Sequence, residues 1–263
     1  MLQLENIYKC FAKGTSHETE ALRGINLNIG EEDFVTVIGS NGAGKSTLLN
    51  IIAGTAFPDK GKVKIDQKEF SNKAEHYRAR FIGRVFQDPL MGTAPSMTVE
   101  ENLALSMKRF GRGLHPGLNK QRRQFFRDKL ALLDLGLESM LSKRVSLLSG
   151  GQRQVLTIMM ATMFDPKILL LDEPTASLDP EISKKIQLIT QEIIKEKKLT
   201  TIMVTHNMQE ALRYGNRTIM MDRGKVILDI SGKKRETVTT EYLIKQFSRL
   251  RKEEFAEDEL MLA

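Results

Sequence analysis

Two early stretches, Leu2-Gln3-Leu4-Glu5 and Ile25-Asn26-Leu27-Asn28-Ile29, alternate apolar and polar residues. A period of two puts one face in a core and the other in water, so each reads as a half-exposed antiparallel strand, and together they predict a small sheet of their own. Three later runs, Phe34 to Ile38, Ile168 to Leu171 and Thr201 to Val204, are nearly continuous and rich in branched residues. Strands of that kind are buried on both faces, as in a parallel sheet covered by helices.

From about residue 88 to 165 the period lengthens. Val99, Leu103 and Leu105 to Met107 predict one helix, Phe125 to Leu137 a second, and a third follows Ser149. The connector Gly111-Arg112-Gly113-Leu114-His115-Pro116-Gly117 is rich in helix breakers and reads as a loop. Short apolar runs alternating with helical patterns give an α/β class. Residues 1–240 are expected to form the main domain, with the helical stretch inserted in it. Residues 241–263, carrying Tyr242, Leu243, Phe247, Leu250 and Phe255 among many charges, predict a short tail of one or two amphipathic helices.

Each parallel run ends in polar groups: a Gly-rich loop at 39–46, Asp172-Glu173, and Thr205-His206. Open α/β sheets bind ligands at the carboxyl ends of their strands, so three sequence-distant segments are predicted to converge there.

Composition narrows the class without naming a ligand. The chain has 263 residues, 41% hydrophobic and 28% charged, with 40 Lys plus Arg against 33 Asp plus Glu, a net charge of +7. That excludes collagenous, disulfide-rich and disordered chains. The single cysteine, Cys10, has no partner for an intramolecular disulfide, and Glu5 interrupts the apolar stretch that a secretory leader needs, so a reducing cytosolic compartment is expected. The longest apolar-leaning run, Val155 to Phe164, falls well short of the roughly 20 residues of a spanning helix. The positive charge admits nucleic acid, an anionic membrane surface or phosphorylated ligands alike.

The loop resolves part of that choice. Gly39-Ser40-Asn41-Gly42-Ala43-Gly44-Lys45-Ser46, followed by Thr47, fits G-x-x-x-x-G-K-[ST] directly after an apolar strand and before a helical pattern. That is the context the phosphate-binding motif requires. Its glycines let backbone N–H groups turn toward phosphates, the helix start adds partial positive charge, and Lys45 adds a full one. Ser46 is placed to offer its hydroxyl to Mg2+.

Ile168 to Leu171 ends in two adjacent carboxylates, a costly arrangement at the end of a buried strand unless cations or reacting water occupy it. Asp172 suits a Mg2+ ligand. Glu173 suits a general base for the water that attacks a γ-phosphorus, and His206 suits a group that holds that phosphate or orients the water. His17, His76 and His115 lie in polar stretches and read as surface residues. Asp179 and Pro180 make a helix start, with Asp as cap and Pro at the first position.

Leu148-Ser149-Gly150-Gly151-Gln152-Arg153-Gln154 has no task in a generic phosphate-loop enzyme. It resembles the signature motif of ABC transporter ATPases, and the likeness to that family runs over about residues 2 to 235 with the motifs in the family's order. The resemblance implies a P-loop NTPase fold: a parallel sheet core with a small antiparallel β-subdomain and an inserted helical subdomain. It implies that Phe11 stacks on adenine, that Gln87 reaches Mg2+ and the attacking water, that Ser177-Leu178-Asp179 crosses a dimer interface, and that His206 is the switch histidine. It further implies ATP sandwiched in a homodimer, between Gly39 to Thr47 of one subunit and Ser149, Gly150, Gly151 and Gln152 of the other.

Two departures from the family pattern stand out. Glu31-Glu32-Asp33-Phe34 replaces a glycine before the phosphate-loop strand, which should alter only a turn. Met159-Met160-Ala161-Thr162-Met163 stands where many relatives carry an arginine, and the methionines read as core packing. A lone nucleotide-binding domain must export its work, so the resemblance implies ABC permease subunits in the membrane, a cleft at Gln87 to Pro95 and Thr98 to Leu105 that receives them, an extracytoplasmic substrate-binding protein, and a position at the cytoplasmic face of the cell membrane. The 154–163 variant resembles a subgroup serving amino acids, aromatic ones in particular. A mechanical ATPase acting on lipoproteins or cell-wall enzymes is the competing reading. A nucleic-acid ATPase would need inserted coiled coils, zinc modules or a second fused cassette, so no nucleic-acid partner is expected. Arg122-Arg123, Arg127-Lys129 and Lys233-Lys234-Arg235 read as solvated faces.

Overall fold

A computed structural model of the chain describes residues 1–107, 118–176 and 178–248. In order, the strands and helices are β1 (Leu2–Phe11), β2 (Thr19–Ile29), β3 (Phe34–Gly39), α1 (Lys45–Ala53), β4 (Lys60–Ile65), β5 (Lys68–Glu69), α2 (Glu75–Arg78) and β6 (Ile82–Val85). Then come α3 (Val99–Met107), α4 (Lys120–Ala131), α5 (Gly150–Thr162), β7 (Ile168–Asp172), α6 (Pro180–Glu196) and β8 (Thr200–Val204). The chain continues through α7 (Met208–Arg213), β9 (Arg217–Asp222), β10 (Lys225–Ser231) and α8 (Gly232–Glu236).

The alternating stretches pair as predicted, β1 with β2 antiparallel, and β4 and β5 complete a four-stranded sheet in the order β2-β1-β4-β5. The continuous runs lie together in a second sheet, β10-β9-β3-β8-β7-β6, parallel from β9 to β6 with β10 as an antiparallel edge. β7 shows why its sequence does not alternate. Ile168 and Leu170 face one core, shared with Leu48, Leu49 and Ile51 of α1 and Leu2, Ile7 and Val63 of the small sheet. Leu169 and Leu171 face the other, shared with Phe126 of α4, Leu156 of α5 and Ile186 of α6. Both faces are dry, so both sets of positions are apolar.

β6 and β9 were not legible as strands. β6 has four residues, two of them Gly83 and Arg84, and carries too little pattern to register. The second predicted helix differs from its expected limits. It starts at Lys120, where Asn119 Oδ1 accepts the Arg122 N–H at 2.8 Å as a cap. It ends at Ala131, and the left-handed residues Asp134 (φ 50°) and Gly136 (φ 72°) separate it from a short 3-10 turn at Leu137–Ser139. Asp179 and Pro180 start α6 as expected, the Asp179 carboxylate accepting the Glu181 N–H at 3.2 Å.

Of the tail, residues 240–248 are helical, and Leu243 is buried against Ile38, Ala211 and Met220. Leu250, Phe255 and the 111–117 connector with His115 lie outside the described residues. Met159 is buried in the helical core with Met163 partly buried beside it, while Met160 also lines a surface cleft.

Arg123, Lys233 and Lys234 are exposed, as expected, but one arginine in each of two basic clusters is also bound within the fold. Arg235 donates to the carbonyls of Ala211, Leu212 and Tyr214 at 3.0, 3.0 and 2.6 Å, closing the carboxyl end of α7. Arg123 grips Glu100 with two bonds of 2.7 and 2.9 Å. A guanidinium offers several donors in a fixed fork, so it can bind such oxygens while part of it stays in water.

Candidate active site

The three polar strand ends do meet. The Thr205 N–H donates to the Val37 carbonyl at 3.1 Å and the Glu173 N–H to the Val204 carbonyl at 3.0 Å, which laces the ends of β3, β8 and β7 together. Glycine shapes the phosphate loop. A Cβ at Gly39 would stand 2.1 Å from the Met221 carbonyl oxygen, and one at Gly44, whose φ is 96°, would stand 2.4 Å from that of Ala21. Neither position admits a side chain.

The start of α1 has no side-chain cap and no acidic residue in its first turn. Helices ordinarily meet their orphaned amides with such groups, so an uncapped start beside a lysine is chemically suited to an anion. Lys45 Nζ donates to the carbonyls of Gly39 and Ser40 at 2.9 and 2.8 Å, across the loop. Its burial lowers the ammonium pKa, and the charges of Glu173 and Asp172 oppose that shift. Asn41, Gly42 and Ser46 are exposed, Ala43 is buried and Thr47 half-buried. Ser40 Oγ donates to Asp222 Oδ1 at 2.8 Å, a strut from the loop to the end of β9 that only the tertiary fold creates.

Burial raises the pKa of Asp172. Arg84, whose guanidinium lies 4.0 Å away, and Lys45 lower it, and Glu173 raises it further. Arg84 also donates to Asn50 Oδ1 at 2.7 Å and stands over the Phe86 ring at 4.5 Å. The sequence reading did not find Arg84, although a cation inside the apolar segment Ile82 to Val85 was the available signal.

Glu173 follows immediately in the left-handed conformation, φ 44°. A non-glycine residue held there costs free energy and persists where its surroundings over-determine it. Two sequence-predicted side chains flank it: Gln87 Nε2 lies 3.4 Å and His206 Nδ1 3.2 Å from Glu173 Oε2. Thr205, beside His206, is buried and donates to Glu210 Oε2 at 2.9 Å, so the loop that carries His206 is anchored from α7.

Phe11 ends β1 and is 43% exposed. Ser149 caps α5, which follows it as expected. Its Oγ accepts the Gln152 N–H at 3.2 Å while Gln152 Oε1 accepts the Ser149 N–H at 3.1 Å, a reciprocal capping box. That box leaves the amides of Gly150 and Gly151 at the helix start. Gly150 is exposed, whereas Gly151 is buried: its Cβ would meet Ile182 of α6 at 2.4 Å. Leu178 lies against Gly150, and Ser177 lies outside the described residues.

Comparison with known proteins shows the family of the chain. Residues 22–176 match the ABC transporter family. The chain belongs to that family. It is 43% identical over 250 residues to the tyrosine transport ATP-binding protein of Clostridioides difficile (strain R20291), covering 94% of this chain and 98% of that protein. It is 34% identical over 255 residues to the methionine import ATP-binding protein MetN of Streptococcus agalactiae, covering 92% of this chain and 69% of the relative. Its fold is that of the ATP-binding cassette MJ0796, solved as a dimer in a post-hydrolysis state bound to ADP and Pi: the TM-score is 0.76 at 33% identity, over 88% of this chain and 98% of that one. A nucleotide-free ATP-binding cassette from an ABC transporter superposes with a TM-score of 0.73 at 27% identity, over 90% and 93% of the two chains. The chain is therefore an ATP-binding protein and ATP hydrolase of the ABC type, on an α/β P-loop NTPase fold.

Proposed function

We propose that the chain is the ATP-hydrolysing subunit of an importer for an amino acid, with tyrosine or a related aromatic as the first candidate. The ATPase half of this reading is carried by the placement of Gln87 and His206 on one oxygen of Glu173, beside Asp172 and Lys45. The substrate half rests on the 43% identity, nearly end to end, with a protein named for tyrosine transport.

In this reading Phe11 stacks on adenine, Gly39 to Thr47 cradle the phosphates, and Lys45 exchanges its bonds to the loop carbonyls for phosphate oxygens. Glu173 accepts a proton from the attacking water, while Gln87 and His206 fix that water and the carboxylate. Ser149, Gly150, Gly151 and Gln152 face the phosphates of a second copy's ATP, with the Gly150 and Gly151 amides as the donors that the capping box leaves available.

The residues suit Mg2+. The Ser46 hydroxyl, the Asp172 carboxylate and the Gln87 amide oxygen would hold it, and among the described residues no group of three or more His, Cys, Asp or Glu could hold a metal. Mg2+ commonly uses one or two carboxylates and takes its other ligands from phosphate and water. Bound there, it neutralises charge on the phosphoryl oxygens.

No helix among the described residues is long and apolar enough to cross a membrane. The work of ATP is delivered to permease subunits at the cytoplasmic face of the cell membrane, fed by an extracytoplasmic binding protein. A cleft of about 400 Å³ lined by Arg84, Phe86, Met91, Leu105, Thr157 and Met160 is the proposed seat of the permease. The domain division proposed is residues 1–240, with the helical insertion at about 88–165, and the tail 241–263.

Crosslinking and mass spectrometry in native membranes, followed by reconstitution with the captured permease and binding protein, tests the proposal. ATPase activity should rise when the binding protein carries an aromatic amino acid. Capture of a permease whose binding protein ignores every amino acid would refute the substrate assignment and leave the ATPase reading intact.

A further inference from the structure

Phe11 stands at the end of β1, opposite Thr19 of β2 and beyond the last residue of β1 that pairs with β4. The register of β1 against β2 shifts between Lys9 and Cys10. Such an irregularity bends a strand and re-aims the side chains beyond it. On the other side, the pairing of β1 with β4 reaches only Tyr8, opposite Lys60.

Asp59, the residue before β4, takes over from there. Its N–H donates to the Tyr8 carbonyl at 2.8 Å, and its Oδ2 accepts the Cys10 N–H at 2.6 Å. Backbone and side chain together thus carry the ladder one step further, to the residue next to Phe11. The same carboxylate pairs with Lys9 Nζ and Lys13 Nζ, each at 3.3 Å, from either side of Phe11 in sequence. The Lys9 ammonium, held by Asp59, also lies over the Phe11 ring, 5.3 Å from its centroid.

We propose that Asp59 is the positioning residue for the adenine platform: without touching the nucleotide, it fixes the direction in which Phe11 presents its ring and so sets affinity for the base. The inference rests on the proposed stacking role of Phe11. Stacking on an aromatic ring is strong only when the ring is already aimed, because aiming it at the moment of binding costs conformational entropy. Asp59 spends the bond before the nucleotide arrives.

The test compares ATP with inorganic tripolyphosphate, which has the phosphates and lacks the base. In Asp59→Ala the Kd for ATP is expected to rise about fivefold, with tripolyphosphate binding within about twofold of wild type and kcat unchanged. Asp59→Asn keeps an acceptor for the Cys10 N–H and should stay within about twofold for both ligands. The chain has no tryptophan, so Phe11→Trp supplies a unique fluorophore at the ring. Adding Asp59→Ala to it should lower the anisotropy of that tryptophan and weaken its quenching by ATP. Should Asp59→Ala fail to fold, Asp59→Ser, whose hydroxyl is too short to replace the bond, carries the same expectations.

Equal weakening of ATP and tripolyphosphate would overturn the inference, since it would mark a general disturbance of the phosphate loop. Unchanged ATP binding and anisotropy would overturn it too. Phe11→Ala separates the two layers: if it leaves ATP binding unchanged, the platform reading itself falls, and if it weakens ATP while Asp59→Ala does not, only the role of Asp59 falls.

Discussion

Glu173 Oε2 and His206 Nδ1 lie 3.2 Å apart, joining residues that stand 33 positions apart in sequence. The strand β7 ends at Asp172, so Glu173 is the first residue free of it, and its left-handed backbone turns the carboxylate toward the histidine that follows β8. The contact exists because β7 and β8 are parallel neighbours and end at the same edge.

If Glu173 takes the proton of the attacking water, Glu173→Gln preserves the shape of the site and removes the base. ATP binding is expected to survive while turnover falls by about 100-fold or more. Nucleotide binding and phosphate release measured on the same sample check this, and normal turnover in the variant would refute the assigned role.

His206 has a side chain that is 62% exposed. Its truncation therefore removes little packing, and His206→Ala should keep the wild-type unfolding temperature. Steady-state kinetics should show kcat lowered by about tenfold or more with the KM for ATP within a few-fold, the pattern of a group that acts on the reacting centre rather than on binding.

The two glycines of the signature should respond differently to a methyl group. At Gly151 the new Cβ meets Ile182 Cγ2 at 2.4 Å, so α5 and α6 must separate, whereas at Gly150 it meets only the end of Leu178 at 3.2 Å. Overpacking of this kind costs about 1–3 kcal/mol, so Gly151→Ala should lower the urea midpoint clearly and Gly150→Ala much less. Adding Ile182→Ala removes the obstructing methyl, and the double variant should be more stable than the sum of its parts.

Arg78 is fully buried and donates to five backbone carbonyls, those of Ile51, Ile52, Phe70, Ser71 and Lys73. Burial lowers its pKa to about 10, so it remains a cation near neutral pH. It satisfies oxygens at the carboxyl end of α1, the helix whose start forms the phosphate loop. Arg78→Met leaves those oxygens unpaired and should cost about 3–5 kcal/mol in chemical denaturation. Arg78→Lys should recover only part of that, because an ammonium cannot span carbonyls arranged for a fork.

The parts of the site that were legible in the chain are those whose chemistry is local. Gly39 to Ser46 are contiguous, the strand before them and the helix after them are periodic, and Asp172-Glu173 ends a run whose burial is written in its composition. The alternation of Leu2 to Glu5 and of Ile25 to Ile29 likewise reports a face in water, so the small sheet and the parallel sheet could be told apart. Order along the chain also sufficed to expect that the loop, the carboxylates and His206 share one edge.

What the chain did not disclose are the contacts between distant residues that hold these groups still. Ser40 meets Asp222 across 182 positions, Arg84 meets Asn50 across 34, and Asp59 meets Cys10 across 49. Ser40 lies inside the phosphate-loop motif and Arg84 interrupts an apolar segment, but neither position names its partner, because the partner is brought to it only by the fold. The same holds for the bonds that Arg123 makes to Glu100 and Arg235 to the carbonyls of Ala211, Leu212 and Tyr214, which the solvated reading of their clusters did not foresee. Local chemistry and hydrophobic period determined the fold class and the reacting groups. Tertiary structure alone decided how those groups are aimed, since a hydrogen bond depends on distance in space and periodicity records only distance along the chain.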